Sequence, residues 1–271
     1  MFLKVKTIET IMQQFAPNKL KEDYDTVGLM VGDKENVVTK ILIALDCTMS
    51  VIDEAKDKGC NFILTHHPLL FLKPKTITTD TLVGKKIIKL IKNNTNVYSS
   101  HTNLDSARGG LNDIATEILG FNKYKIIENS KNDDSGEGRA GIGRLVILNE
   151  YIKLSTLCEN VKRAYNTKFI RYVGNDNDLI KKIAIINGSG EDFFDESIKL
   201  GADCIITGDT KYHGVCDLLE KNVALIDPGH FATEWNAFKI FGEKFKNKLH
   251  DDGYENEVII SQHTYDPYKI K

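Results

Sequence analysis

Part of this chain is written twice, and that constrains its fold more than any other feature. Residues 40–67 read KILIALDCTMSVIDEAKDKGCNFILTHH and residues 182–209 read KIAIINGSGEDFFDESIKLGADCIITGD, aligned without a gap at an offset of 142. Lys40/Lys182, Ile41/Ile183, Ile43/Ile185, Asp53/Asp195, Glu54/Glu196, Gly59/Gly201, Ile63/Ile205 and Thr65/Thr207 are identical, eight of 28 positions. Each copy runs from a β-branched stretch through a helix-length segment to a glycine and a second β-branched stretch. That is a strand, a helix stopped by a left-handed glycine, and a strand. The likeness continues downstream. VYSS at 97–100 is followed by His101 and VALI at 223–226 by His230, and each histidine has a carboxylate four residues on, Asp105 and Glu234. Any two such units look somewhat alike; the matched His-x-x-x-acid placement is what argues for an internal duplication. A duplicated fold has pseudo-twofold symmetry, and the strand ends of both halves are then expected to face one shared cleft.

Further strands are expected at ILIAL 41–45, FILT 62–65, IAII 183–186 and CIIT 204–207, with helices over Ser50–Lys58, Leu82–Asn93, Asp192–Leu200 and Tyr212–Lys221. Nearly uninterrupted apolar strands alternating with helices predict an α/β fold of parallel or mixed sheets covered by helices. A chain of 271 residues is near the upper size of one hydrophobic core, so two lobes are expected. The polar run ENSKNDDSGEG at 128–138 reads as a linker or mobile loop. The expected division is a first lobe over 1–127 and a second over 128–271, with about 235–271 able to pack back on the first.

Composition weighs against several classes. A net charge of -2 gives no support for nucleic-acid binding. No apolar run reaches the ~18 residues of a membrane span, and MFLKVKTIETIMQQF has a helix-like pattern rather than a signal peptide's long apolar centre. Five cysteines with no CxxC read as reduced, small hydrophobes of a cytoplasmic protein.

Ligands of open α/β sheets gather at the carboxyl ends of strands, and the chemically capable residues of this chain lie there. His66 and His67 leave the strand FILT directly, in THHPLLF. Adjacent residues of extended chain point to opposite sides, so each imidazole would serve a different, neighbouring ion. A structural role is the plain alternative. Asp105, ahead of Gly109–Gly110, reads equally as a ligand or as a cap of the following turn. His230 and Glu234, in DPGHFATEW, share one face if a helix starts there, either as ligands or as a surface pair. Together, three imidazoles and two carboxylates suit Zn, Fe, Mn or Co. Five side chains cannot saturate two ions, so Glu234 is the natural bridge and water fills the remaining positions. Two ions about 3.5–4 Å apart activate a bridging water, as in two-metal hydrolases. His101 is a candidate proton carrier or a structural hydrogen bonder. GEGRAGIGR at 136–144 reads as a loop whose Arg139 and Arg144, with Lys211, are candidate phosphate contacts. Asp209, Lys211 and His213 of GDTKYHG are candidates to line the cleft. DTVGLMVG at 25–32 reads as a strand and turn, not a dinucleotide fingerprint.

In order, DTVGLMVG, THHPLLF, SSHTNLD, TGDTKYH and PGHFATE resemble the motifs of the NGG-interacting-factor-three-like family, also called dinuclear metal-centre proteins or GTP cyclohydrolase 1 type 2 homologues. The resemblance spans nearly the whole chain and puts the family's metal ligands on His66, His67, Asp105, His230 and Glu234. It implies two interlocked lobes, a ring-shaped homohexamer with metal sites facing its interior, and no inserted domain, since the stretch between lobes is short. The family name implies hydrolytic opening of the GTP ring at C8, yet no motif here must read guanine. The functions to separate are a metal-dependent hydrolase of this kind, a phosphoesterase on a nucleotide or similar ester, and a non-enzymatic metal-binding scaffold or regulator.

Overall fold

The computed structural model describes residues 2–133, 138–269 and 271. Two compact units divide it: Met1–Leu104 with Phe238–Lys271, and Asp105–Ala237. The fold is α/β, each unit being built on its own sheet.

In the first unit, helix α1 (Val5–Phe15) precedes strands β1 (Gly28–Val31) and β2 (Lys40–Ala44). Helix α2 (Met49–Asp57), strand β3 (Phe62–Thr65), helix α3 (Leu82–Lys92) and strand β4 (Asn96–Ser99) follow. Thr48 and Thr81 cap α2 and α3 by accepting the amides of Val51 and Gly84. Strands β3 and β4 are buried along their whole length, as strands covered on both faces must be. Leu42, Ala44, Ile63 and Val97 pack on Val51, Ile52 and Ala55 of α2. The short helix α4 (Thr102–Ser106) ends this run.

The second unit holds α5 (Leu111–Ile118), β5 (Lys125–Asn129), β6 (Gly141–Lys153), α6 (Leu154–Ala164), β7 (Arg171–Val173) and β8 (Leu179–Ser189). Then come α7 (Phe194–Lys199), β9 (Cys204–Gly208), α8 (Tyr212–Glu220) and β10 (Ala224–Asp227). Ile183 and Ile185 of β8 belong to one core cluster, Ala184 and Ile186 to another, so this sheet too is buried on both faces. Helix α9 (His230–Asp251) carries the chain back into the first unit, where Gly242 lies against Ile43, and β11 (Glu257–Ile260) closes it.

The two sheets share a plan. The first runs β1-β4-β3-β2-β11 and the second β7-β10-β9-β8-β6-β5. In each, three parallel strands carry an antiparallel strand beside the third, β1 on β4 and β7 on β10. The register matches as well. Ile41↔Phe62, Leu42↔Ile63 and Ile43↔Leu64 become Ile183↔Cys204, Ala184↔Ile205 and Ile185↔Ile206, all at the sequence offset of 142. Gly59 and Gly201, both past a helix end, have φ of 68° and 80°, the left-handed stop read from sequence.

Two differences from the sequence reading have physical causes. The units divide at Leu104/Asp105 rather than at 127/128, because α5 packs on β6 and β8 of the second sheet. The chain, which the sequence reading allowed to pack back from about residue 235, re-enters the first unit at Phe238, and β11 pairs in parallel with β2. The loop expected at 136–144 gives way to strand from Gly141 onward, where the chain is β6, antiparallel to β5. Glycine permits this, because a Cβ on Gly141 would stand 2.1 Å from the Glu128 carbonyl oxygen. Of the linker expected at 128–138, Glu128 and Asn129 belong to β5, and residues 134–137 lie outside the described residues. Cys47, Cys60, Cys158, Cys204 and Cys216 are free thiols. Among the described residues no helix is long and apolar enough to cross a membrane.

Candidate metal centre

In the first unit the carboxyl ends of β3 and β4 bring three imidazoles together. Ring centroids of His66 and His67 are 5.1 Å apart, of His66 and His101 5.1 Å, and of His67 and His101 5.7 Å. Adjacent His66 and His67 do not diverge to opposite faces, because β3 ends at Thr65 and both residues lie beyond it. The Thr65 hydroxyl, 2.9 Å from the His67 carbonyl oxygen, holds that corner. One ring nitrogen from each of the three lies within 4.8 Å of the others, a group that could hold a metal ion.

Each ring is oriented through the same atom. His66, fully buried, has Nδ1 2.9 Å from the Ser100 carbonyl oxygen. His67 Nδ1 is 2.8 Å from Asp46 Oδ1, and His101 Nδ1 is 2.9 Å from Asp25 Oδ1. A carbonyl or carboxylate oxygen can only accept, so each Nδ1 carries the proton and, in a neutral ring, each Nε2 keeps its lone pair. This is how proteins set histidines that bind metals. Burial pushes the Asp25 carboxyl up, but the hydrogen bond and charge of His101, then the Thr102 hydroxyl and amide, outweigh it and bring it down to about 2. Asp25 is therefore an ionised acceptor at neutral pH.

In the second unit His230 opens α9, one turn ahead of Glu234. His230 Nδ1 is 2.9 Å from Asp209 Oδ2, and its Nε2 is 2.7 Å from Glu234 Oε2. Both ring nitrogens thus face carboxylate oxygens, so either a proton lies on each side or a cation stands between Nε2 and Glu234. Glu234 is 4% exposed and lies against Gly188, where a Cβ would stand 2.0 Å from Oε1. The Gly188 amide donates to Thr233 Oγ1 at 3.2 Å, fixing β8 on the first turn of α9. Asp209 adopts φ 53°, a left-handed conformation unusual for a non-glycine residue, at the end of β9. Asp105, 9% exposed, accepts Asn112 Nδ2 on its carbonyl oxygen at 3.1 Å.

The candidate phosphate contacts fare differently. Arg144 is fully buried in β6, ion-paired with Asp113 and bonded to the Gly141 and Gly143 carbonyls at 2.8 and 2.9 Å. It is engaged inside the unit and does not offer a solvent-facing guanidinium. Arg139 and Lys211 are exposed, their amides donating to Asp133 and Glu191. Of the cleft candidates, Asp209 supports His230, while exposed His213 lies edge-on to Tyr212. Sequence reasoning missed Asp25, Asp46 and the Ser100 carbonyl. Their one sequence signal is position, at or near strand ends in the first unit.

An α/β protein of two sheets built to one plan, with Nδ1-anchored histidines at strand ends, is the class that fold and site define. The chain belongs to the Duf34/NIF3 (NGG1p interacting factor 3) family, which it matches over residues 3–267. It is 53% identical over 271 residues to a GTP cyclohydrolase 1 type 2 homolog of Clostridium acetobutylicum, covering 100% of both chains. A homolog of the same name from Clostridium perfringens is 52% identical, over 99% of this chain and 100% of its own. Among solved structures, a Staphylococcus aureus hypothetical protein superposes with a TM-score of 0.90 at 28% identity, covering 100% of both chains.

Proposed function

We propose that the chain is a dinuclear divalent-metal protein whose ligands are His66, His67, Asp105, His230 and Glu234, and that it hydrolyses a nucleotide. The observation that carries this reading is the common orientation of the histidines. Four imidazoles have Nδ1 set against an oxygen, which turns Nε2 of His66, His67 and His230 to binding and leaves Nε2 of His101 to carry a proton. Imidazole and carboxylate together suit Zn, Fe, Mn or Co. Bound ions supply Lewis acidity for attack on carbon or phosphorus. The nucleotide is suggested by the relatives' name, GTP cyclohydrolase 1 type 2 homolog. His101 acts as proton carrier: Asp25 holds its Nδ1–H, and Nε2 takes and returns a proton at the substrate. The matched registers of the two sheets support an internal duplication in which the His-x-x-x-acid segment is repeated.

The test strips the purified protein of metal and titrates Zn(II) or Mn(II) by calorimetry and elemental analysis, then assays GTP and a panel of phosphate esters. Two ions per chain and turnover are expected. His66→Ala should bind metal at least about tenfold more weakly. A wild-type protein that takes up no ion overturns the metal reading. Turnover surviving His67→Ala with Asp105→Ala overturns the chemistry. Two bound ions without turnover would leave a metal-binding scaffold and remove the hydrolase.

A further inference from the structure

We propose that Arg144, acting through Asp113, is a positioning residue for Asp105. The inference rests on the reading of Asp105 as a metal ligand. Residues 105–109 run from the end of α4 towards α5, and the first turn of α5 clasps that stretch at two points. Asn112 Nδ2 donates to the Asp105 carbonyl oxygen at 3.1 Å, and Asp113 Oδ2 accepts the amide of Gly109. Each clasp is tied to a different strand of the six-stranded sheet. Asn112 Oδ1 accepts the amide of Asn187 in β8 at 3.0 Å, and Asp113 Oδ1 accepts Arg144 Nε from β6. Arg144 is held in turn by the Gly141 and Gly143 carbonyls, and its guanidinium carbon lies 5.4 Å from the centre of the Tyr124 ring.

A fully buried ion pair is a poor device for stability, since an apolar pair of similar volume often serves as well or better. The apolar packing of α5 is already supplied by the buried Leu111, Ile114 and Ala115. What an apolar pair could not do is accept the Gly109 amide in one orientation. The charge pair therefore sets the path of residues 105–109, and with it the direction in which the Asp105 carboxylate emerges. This is the outer support that metal ligands require.

The experiment compares full-length wild-type protein, Arg144→Lys, Asp105→Asn, and the double variant Arg144→Met with Asp113→Leu. Each is measured for urea unfolding midpoint and for Zn(II) affinity. The double variant removes both charges at similar volume but leaves the Gly141 and Gly143 carbonyls without their donor, so it is expected to stay folded with a lowered unfolding midpoint and to bind Zn(II) about ten- to a hundredfold more weakly. Arg144→Lys, which keeps the charge and loses the fork, is expected to weaken Zn(II) binding in the same direction. Should the double variant not fold, Arg144→Lys decides by the same readout. A folded variant with wild-type Zn(II) affinity overturns the inference and leaves the pair purely structural. If Asp105→Asn also binds as wild type does, or wild type binds no Zn(II), the ligand reading itself falls and takes the inference with it.

Discussion

Gly188 and Glu234 meet so closely that the side chain of one depends on the absence of a side chain on the other. Gly188 has φ 67°, and an added methyl would overlap Glu234 Oε1 at 2.0 Å. Gly188→Ala should cost about 1–2 kcal/mol from backbone strain, and the displaced carboxylate should weaken Zn(II) binding in the folded variant. Chemical unfolding and a metal titration of the same protein check both; unchanged affinity would mean that Glu234 can move without loss. At this scale the sequence showed which residues stand at strand ends: His66, His67, His101 and His230 were all legible there. It did not show what orients them. Asp46 and Asp25 reach their histidines from other segments of the first unit, 21 and 76 positions away, and only the folded sheet brings such distant residues together. Arg144 was misread because its flanking glycines look like a loop, whereas they serve close approach to β5.

Glu54 shows how one helix secures a distant segment. From the buried face of α2 its carboxylate accepts Lys58 Nζ at 2.8 Å, the Ser261 hydroxyl, and the amides of Gln262 and His263 at 2.9 and 3.3 Å. Burial alone would raise its pKa, but Lys58, Ser261 and Gln262 outweigh burial and hold it below 4.5. A carboxyl depressed on folding stabilises fully above its unfolded pKa and ceases to do so as pH falls through the lower folded value. Glu54→Gln should therefore cost about 1–3 kcal/mol at pH 7, and the gap from wild type should shrink below about pH 4. Urea unfolding of both proteins across that range is the check, and a gap that widens in acid would refute it. The elements read correctly from sequence were the buried parallel strands, whose apolar runs announce themselves. β5, β7 and β11 went unread because they are short and half-exposed, with mixed residue types, and depend on neighbours to become strands.

For the whole molecule, the family resemblance leads us to propose a ring of six chains. The first unit supports it with Phe71, Leu72, Ile77, Leu82 and Ile91, all exposed, Leu72 to 81%. Ile77 and Ile91 line one hollow of that unit, and contiguous exposed apolar surface marks interaction sites. Light scattering should give about six times 30.5 kDa, and a monomeric mass would reject the ring. The α/β class and the doubled strand plan were open to sequence, because a repeat at fixed offset carries register with it. The boundary at Leu104/Asp105 was not, since it leaves no local mark, whereas the return at Phe238 lies in the segment, about 235–271, that the sequence allowed to pack back. That return has a consequence for biosynthesis. During translation the whole of Asp105–Ala237 emerges before Glu257–Ile260, the strand that covers the side of β2. The later-encoded unit can complete its sheet first, while the earlier one waits on the ribosome with an open backbone edge. That interval is when a nascent chain of this design is most exposed to mispairing with its neighbours.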